Sequence, residues 1–121
     1  MARIMIVDDS AYARRVHRAI LEGAGHLVIE AATGTTAIEM FSLDRPDVVL
    51  LDLSMEDISG LDVLRTLRQI DPGVQVVVVS ADVQKSTAEA VFAEGASRFL
   101  PKPANAADLT STVSSLVGDH A

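Results

Sequence analysis

Residues 48–52 read Val-Val-Leu-Leu-Asp, an apolar run that ends in a carboxylate. A short continuous apolar run of this kind is typical of a parallel strand that is buried on both faces. Residues 4–7 read Ile-Met-Ile-Val, and Asp8 and Asp9 follow them directly. Ligands of open parallel sheets bind outside the carboxyl ends of the strands. If the two runs form neighbouring strands, three acids meet at that edge of one sheet.

Apolar runs alternate with helix-period segments along the chain. They predict strands over about 3–7, 26–31, 47–51, 74–79 and 97–100, and helices over about 10–23, 34–43, 60–70, 83–94 and 105–117. The expected N-caps are Ser10, Thr33, Asp82 and Asn105. Five strand–helix units predict an α/β fold, a doubly wound parallel sheet with right-handed crossovers. We expect residues 1–121 to form one domain with no output domain attached.

The composition argues against several classes of protein. The chain has no cysteine, which excludes disulfides and thiolate metal sites. A net charge of −7 argues against direct nucleic-acid binding, because phosphate contacts need a basic face. No apolar stretch approaches the roughly 20 residues of a membrane span, and no signal-peptide pattern is seen at the N-terminus. We therefore expect a cytoplasmic protein without membrane insertion.

The acids at the predicted sheet edge indicate a metal site. Three carboxylates do not share a pocket cheaply without a cation. Mg²⁺ prefers oxygen ligands and keeps several waters. Asp8 or Asp9, together with Asp52 and the backbone carbonyl of Ser54, can supply the protein ligands.

The same edge is expected to collect a nucleophile, a hydroxyl and an ammonium. Asp52 is suited to attack a phosphoryl group and form an aspartyl-phosphate. Lys102 follows the fifth strand and can neutralise the phosphoryl oxygens together with the metal. Ser80 follows the fourth strand, where its hydroxyl can donate a hydrogen bond to the attached phosphoryl group.

In order and spacing, these motifs resemble the response-regulator receiver domain, in particular the single-domain chemotaxis type. The matching segments are VDDS at 7–10, LDLSM at 51–55, GLDVL at 60–64, VSA at 79–81 and GASRFLPKP at 95–103. Each segment alone is weak evidence, but all of them in this order are specific. The resemblance implies a flavodoxin-like sheet of strand order 2-1-3-4-5 and a role in two-component signalling.

The resemblance also implies roles for individual residues. Asp52 would be the phosphoacceptor, supplied by a histidine kinase or phosphotransfer domain, while Asp8 and Asp9 would hold Mg²⁺, one of them through water. Lys102 would contact the phosphoryl group, and its peptide bond to Pro103 would be cis.

A conformational switch is implied as well. Ser80 would move toward the phosphoryl group and the Phe99 ring would turn inward, which changes how the face formed by the fourth helix, fifth strand and fifth helix binds a downstream protein. We expect a non-enzymatic switch with at most slow self-phosphorylation and self-dephosphorylation. We expect a monomer, with dimerisation on phosphorylation left open.

Several residues near the site depart from the usual pattern or have two interpretations. Glu56 stands where the family often has proline, and Ser80 stands where threonine is common. Asp82 and Glu56 are candidates for tuning dephosphorylation, although Asp82 is also a simple helix cap. His17 is expected to pack on the apolar stripe of the first helix.

Arg14, Arg15 and Arg18 are expected to form a solvated helix face, with contact to an acidic patch on the phosphodonor as a further hypothesis.

Other functions stay open at this point. Within signalling, the chain could be a phosphorelay intermediate, or a receiver detached from a transcription factor. A different class is the aspartate-nucleophile phosphohydrolase, which usually has a second aspartate two residues after the nucleophile; here that residue is Ser54. A flavin-binding module is disfavoured because Asp8 and Asp9 would repel a phosphate.

Overall fold

The computed structural model describes residues 1–118, which form five strands alternating with five helices. The strands are β1 (Arg3–Val7), β2 (Leu27–Ala31), β3 (Val48–Asp52), β4 (Gln75–Ser80) and β5 (Arg98–Pro101). The helices are α1 (Ala11–Gly23), α2 (Gly34–Asp44), α3 (Gly60–Ile70), α4 (Lys85–Ala93) and α5 (Ala106–Val117). All strand pairs are parallel, in the order β2-β1-β3-β4-β5, which confirms the predicted fold. Within residues 1–118, no helix is long and apolar enough to cross a membrane.

The sheet is buried between two apolar layers because alternate strand residues point to opposite faces. On one face, Met5 packs with Phe41 of α2 and with residues of α3 and α4. On the other face, Ile4 packs with Leu21 of α1 and Leu109 of α5. Every residue of the central strand β3 is buried, whereas the short edge strand β5 has exposed ends. The continuous apolar runs of the sequence are therefore those of a two-sided core.

The strand register brings the predicted functional residues to one edge. Asp52 is the last residue of β3 and lies opposite Val79 of β4. Ser80 is the last residue of β4, and Lys102 follows β5 directly. Asp8 follows β1, which is hydrogen-bonded to β3. The observed strand bounds lie within one residue of the predicted ones.

Three of the four predicted N-caps are confirmed by their hydrogen bonds. The side chains of Ser10, Thr33 and Asn105 each accept a bond from the backbone N–H three residues later, as N-cap residues do.

The prediction for Asp82 is wrong, because the N-cap of α4 is Gln84. The Asp82 carboxylate instead accepts a bond from the Gln84 N–H at 3.1 Å, so a local turn precedes the helix. As a result, α4 begins two residues later than the sequence pattern indicates.

Candidate functional site

Three carboxylates converge at the carboxyl edge of the sheet. Asp8, Asp9 and Asp52 each present an oxygen, and these atoms lie within 4.8 Å of one another. Asp8 and Asp52 are 2 % and 3 % exposed, whereas Asp9 is exposed to solvent. Buried acids this close together repel one another, so the site needs positive charge.

Lys102 supplies one positive charge to the two buried acids. Its ammonium donates to Asp8 Oδ2 at 3.0 Å and to Asp52 Oδ2 at 3.2 Å. The second oxygen of each acid accepts a backbone N–H, from Ser10 at 2.9 Å and from Ser54 at 3.1 Å. The peptide bond between Lys102 and Pro103 is cis, as the resemblance implies.

The site remains short of positive charge. Burial raises the pKa of the Asp52 carboxyl, and the negative charge of Asp8 raises it too, although the Ser54 N–H and Lys102 oppose this. Burial acts to lower the pKa of Lys102, but the hydrogen bond to Asp8 and the charges of both acids outweigh it, and the pKa is raised. One ammonium thus faces three carboxylates, and a cluster of hard oxygen ligands of this kind fits Mg²⁺.

Two further site residues lie on the neighbouring strands. Ser80 is buried, and its hydroxyl accepts the Asp82 N–H at 3.0 Å. The Ser80 carbonyl accepts the Lys102 N–H at 2.9 Å, so the loops after β4 and β5 are directly joined. Phe99 of β5 is half-buried and packs against the core on the α2 and α3 face. Its ring therefore lies at the border between the core and the surface.

The two candidate tuning residues are both exposed. The Asp82 carboxylate is already engaged, because Oδ2 accepts the Thr87 hydroxyl at 2.7 Å in addition to the Gln84 N–H on Oδ1. These two bonds, led by the Thr87 hydroxyl, lower the pKa of Asp82. Glu56 lies in the loop between β3 and α3, and its proposed effect on dephosphorylation stays a prediction.

The arginines of α1 are only partly a solvated face. Arg14 bridges Glu30 Oε1 at 3.0 Å and the Asp8 carbonyl at 2.7 Å. Arg18 also pairs with Glu30, at 2.6 Å. The prediction of a solvated face is therefore wrong for Arg14, whose side chain is only 18 % exposed, whereas the Arg18 side chain stays 41 % exposed although it pairs with Glu30 of β2. Arg15 is exposed, as predicted.

Sequence patterns did not reveal the full surroundings of two other residues. His17 is buried, as predicted, but it also lines a cavity of about 290 Å³ together with Lys102 and Pro103. Burial lowers the pKa of His17. The negative charges of Asp8 and Asp52 act to raise this pKa, and the positive charge of Lys102 acts to lower it. Asp57 lies in the loop between β3 and α3 but is bonded to α2. Only the helical stripe hinted at the burial of His17, and no pattern in the sequence indicated the Asp57 contact.

Comparison with known proteins agrees with this geometry. Residues 4–114 match the family model of the response regulator receiver domain. The chain is 34 % identical to a chemotaxis protein CheY of Thermotoga maritima over 102 residues, which cover 84 % of this chain and 85 % of that protein. It is 38 % identical to a protein-glutamate methylesterase/protein-glutamine glutaminase of Paramagnetospirillum magneticum, covering 92 % of this chain but only 30 % of that protein.

A solved structure shows the same fold. The crystal structure of a CheY-like response regulator receiver domain protein from Methanospirillum hungatei superposes with a TM-score of 0.92 at 25 % identity, over 98 % of this chain and 95 % of that one. The family model spans nearly the whole of the five-stranded sheet and all three acids at its edge. The chain therefore belongs to the response regulator receiver domains of two-component signalling.

Proposed function

We propose that this receiver domain is a phosphorylatable switch, in which Asp52 accepts a phosphoryl group from a histidine kinase or phosphotransfer domain in a Mg²⁺-dependent reaction. One observation carries the proposal: Asp52 is a buried carboxylate at the end of β3, beside two more carboxylates and 3.2 Å from the Lys102 ammonium. A nucleophile, a cation site and a neutralising group thus occupy one edge of the sheet.

The acidic cluster is suited to hold the metal. Asp8, Asp9 and Asp52 would supply carboxylate oxygens, and Ser54 would supply its backbone carbonyl. Bound there, Mg²⁺ would neutralise negative charge on the phosphoryl oxygens. The exposure of Asp9 suits a ligand that acts through water, since Mg²⁺ retains part of its hydration shell.

Phosphoryl transfer then needs little more than correct positioning. A carboxylate oxygen of Asp52 attacks phosphorus, the phosphorus–nitrogen bond of the donor phosphohistidine breaks, and the imidazole leaves with the electron pair and takes a proton from water. Lys102 reaches both buried acids and can transfer its hydrogen bonds to a phosphoryl oxygen. Ser80 is buried beside β3 and would donate its hydroxyl to another oxygen.

The output is proposed to be a population shift of the surface formed by α4, β5 and α5. The Lys102 N–H donates to the Ser80 carbonyl, so the segment that leads into α4 is bonded to the segment that leads into α5. Movement of Ser80 toward the phosphoryl group would open space that the half-buried Phe99 ring can fill. The switched surface would bind a downstream protein, and the net charge of −7 makes direct nucleic-acid binding the weaker alternative.

Intact-mass spectrometry tests the phosphoacceptor. The protein is incubated with acetyl phosphate and Mg²⁺, beside Asp52→Asn and Asp71→Asn, a matched change at the opposite edge of the sheet. We expect the wild type and Asp71→Asn to gain one phosphoryl group, and we expect no gain in Asp52→Asn or in excess EDTA. An adduct on Asp52→Asn would contradict the proposal. Release of phosphate over many turnovers, with no adduct, would favour a phosphohydrolase.

The same samples test the output and the oligomeric state. Amide chemical shifts should change along α4, β5 and α5 on phosphorylation, and less so in Phe99→Ala. Light scattering before and after phosphorylation tests the expected monomer and any dimerisation. Shift changes confined to the acidic edge would contradict the proposed output surface.

A further inference from the structure

Asp57 connects the loop after β3 to the first turn of α2. Its Oδ1 accepts the Gly34 N–H at 2.9 Å, and its Oδ2 accepts both the N–H and the hydroxyl of Thr35 at 2.9 Å. The Thr33 hydroxyl accepts the Thr36 N–H at 3.1 Å. The first three N–H groups of α2, which have no acceptor within the helix, are therefore all satisfied, two of them by a residue more than 20 positions away in the chain.

The approach between the two elements is close. A Cβ added at Gly34 would lie 2.9 Å from Val63 Cγ2 and 3.1 Å from Ile58 Cβ, so only glycine lets the loop and α3 pack on this helix end. The N–H groups of Thr35 and Gly34 hold the pKa of the Asp57 carboxyl far below its usual range. The negatively charged Asp57 therefore holds the loop to the N-terminus of α2, and the positive end of the helix dipole strengthens these hydrogen bonds.

Asp57 lies in the loop that directly follows Asp52, the proposed phosphoacceptor. At the start of residues 53–59, the Ser54 N–H is bonded to Asp52 Oδ1 at 3.1 Å. At the end, the Ser59 hydroxyl accepts the Asp62 N–H at 3.2 Å and caps α3. A Cβ at Gly60 would lie 2.6 Å from the Leu53 Cα, which shows how tightly the two ends approach.

We propose that Asp57 is a positioning residue of the metal site, which holds the loop against α2 and fixes the Ser54 backbone before the cation binds. The inference rests on the proposed function, because the Ser54 carbonyl is a ligand only if the proposed Mg²⁺ site exists. Ordering a free loop on binding costs conformational entropy, and a loop that is already anchored avoids most of that cost. Asp57 touches neither the cation nor the phosphoryl group in this role.

The test compares Asp57→Ala with Thr33→Ala. Both variants remove a cap from the same end of α2, but the Thr33 hydroxyl bonds only within that helix end and not to loop 53–59. We expect both to lower the urea midpoint to a similar extent. Only Asp57→Ala should weaken Mg²⁺ binding, by about tenfold, the lower end of the loss caused by removing supports of a metal ligand. Binding is followed by the amide shifts of the loop during titration with Mg²⁺.

A second readout separates positioning from general damage. In Asp57→Ala, labelling by acetyl phosphate should be slow at low Mg²⁺ and should recover at saturating Mg²⁺, whereas Thr33→Ala should match the wild type at both concentrations. Equal Mg²⁺ affinity in the two variants would overturn the inference and leave the proposed function intact. Failure of the wild type to bind Mg²⁺ would instead overturn the proposed function together with it.

Asp57→Asn keeps the test decisive if Asp57→Ala does not fold. The Gly34 N–H bonds to Oδ1 and the Thr35 N–H bonds to Oδ2, and an amide in the same position has an oxygen at only one of these places and an NH2 group, which cannot accept, at the other. We expect a loss of Mg²⁺ affinity between those of the wild type and of the alanine variant. Wild-type affinity in Asp57→Asn would overturn the inference.

Discussion

Replacing Asp52 by asparagine should stabilise the protein in the absence of metal. The carboxylate is 3 % exposed, and burial raises its pKa above 3.8, the value for an unperturbed side chain. A raised folded-state pKa means that ionisation of Asp52 opposes folding, and this cost is present once the pH exceeds that pKa. Asparagine removes the charge but keeps an oxygen that can accept the Ser54 N–H.

The charges around Asp52 give the magnitude. With an effective dielectric constant of about 20, the Lys102 ammonium at 3.2 Å contributes about 5 kcal/mol of attraction. The Asp8 carboxylate, within 4.8 Å, contributes about 3 to 4 kcal/mol of repulsion, and exposed, screened Asp9 adds a smaller amount. These opposing contributions nearly cancel, so the cost of burying the charge decides the sign. That cost is several kcal/mol per ion and is partly relieved by the hydrogen bonds, so we expect a gain of about 2 kcal/mol.

Urea unfolding followed by circular dichroism measures this gain. In EDTA near neutral pH, Asp52→Asn should unfold at higher urea than the wild type, and the gap should narrow as the pH falls toward 3.8, where Asp52 is increasingly protonated. Mg²⁺ at about ten times its Kd should stabilise the wild type by about 1.4 kcal/mol and the variant less, because it lacks a ligand. The control Asp9→Asn changes an exposed acid and should stay within about 0.5 kcal/mol of the wild type. A loss of stability in Asp52→Asn in EDTA would refute the reasoning.

Two further predictions concern residues around the site, and a third concerns the exposed face of α1. Burial lowers the pKa of His17 below 6.5, so near that pH the native state binds fewer protons than the unfolded state, and stability should fall as the pH drops below 6.5. When urea midpoints are measured over this pH range, their dependence on pH should be weaker in His17→Val than in the wild type. The same pH dependence in both proteins would contradict the prediction. Lys102→Met leaves Asp8 and Asp52 without their ammonium and should lower the free energy of unfolding by about 3 kcal/mol in EDTA, with part of the loss recovered in Mg²⁺. An unchanged free energy in urea unfolding would count against the ion pairs. Arg15→Glu should slow phosphotransfer from a kinase but leave the rate of labelling by acetyl phosphate unchanged. Because Arg15 is exposed, the free energy of unfolding should stay within about 0.5 kcal/mol of the wild type. An equal loss of labelling rate with both donors would exclude a docking role.

The sheet could be predicted from the sequence because parallel strands buried on both faces leave a continuous apolar run. In β3 every residue is buried, and the run at 48–52 shows it directly. Strand ends were off by one residue because polar residues such as Ser80 still pair within the ladder. The start of α4 was less predictable, because an aspartate such as Asp82 can either cap a helix or form a turn before it.

The site was predictable only as far as the sheet brings its parts together. Asp8 and Lys102 follow strands and Asp52 ends one, and the order of these strands fixes which residues are neighbours. The contact of Asp57 with α2 has no local signature, because any acid in a loop can meet any helix N-terminus. The pairing of Arg14 with Glu30 likewise depends on how α1 packs beside β2, which a helical pattern alone does not determine.

The edge position of β5 bears on which part of the domain can open. This strand has four residues, pairs on one side only with β4, and has exposed ends, whereas β3 is buried along its whole length. Segments that bury little apolar surface open locally at a free energy far below that of global unfolding. Slow hydrogen exchange should therefore be concentrated in the centre of the sheet. Phe99 lies on this strand and Lys102 follows it directly, so the proposed switch would rearrange a segment that buries little of the core.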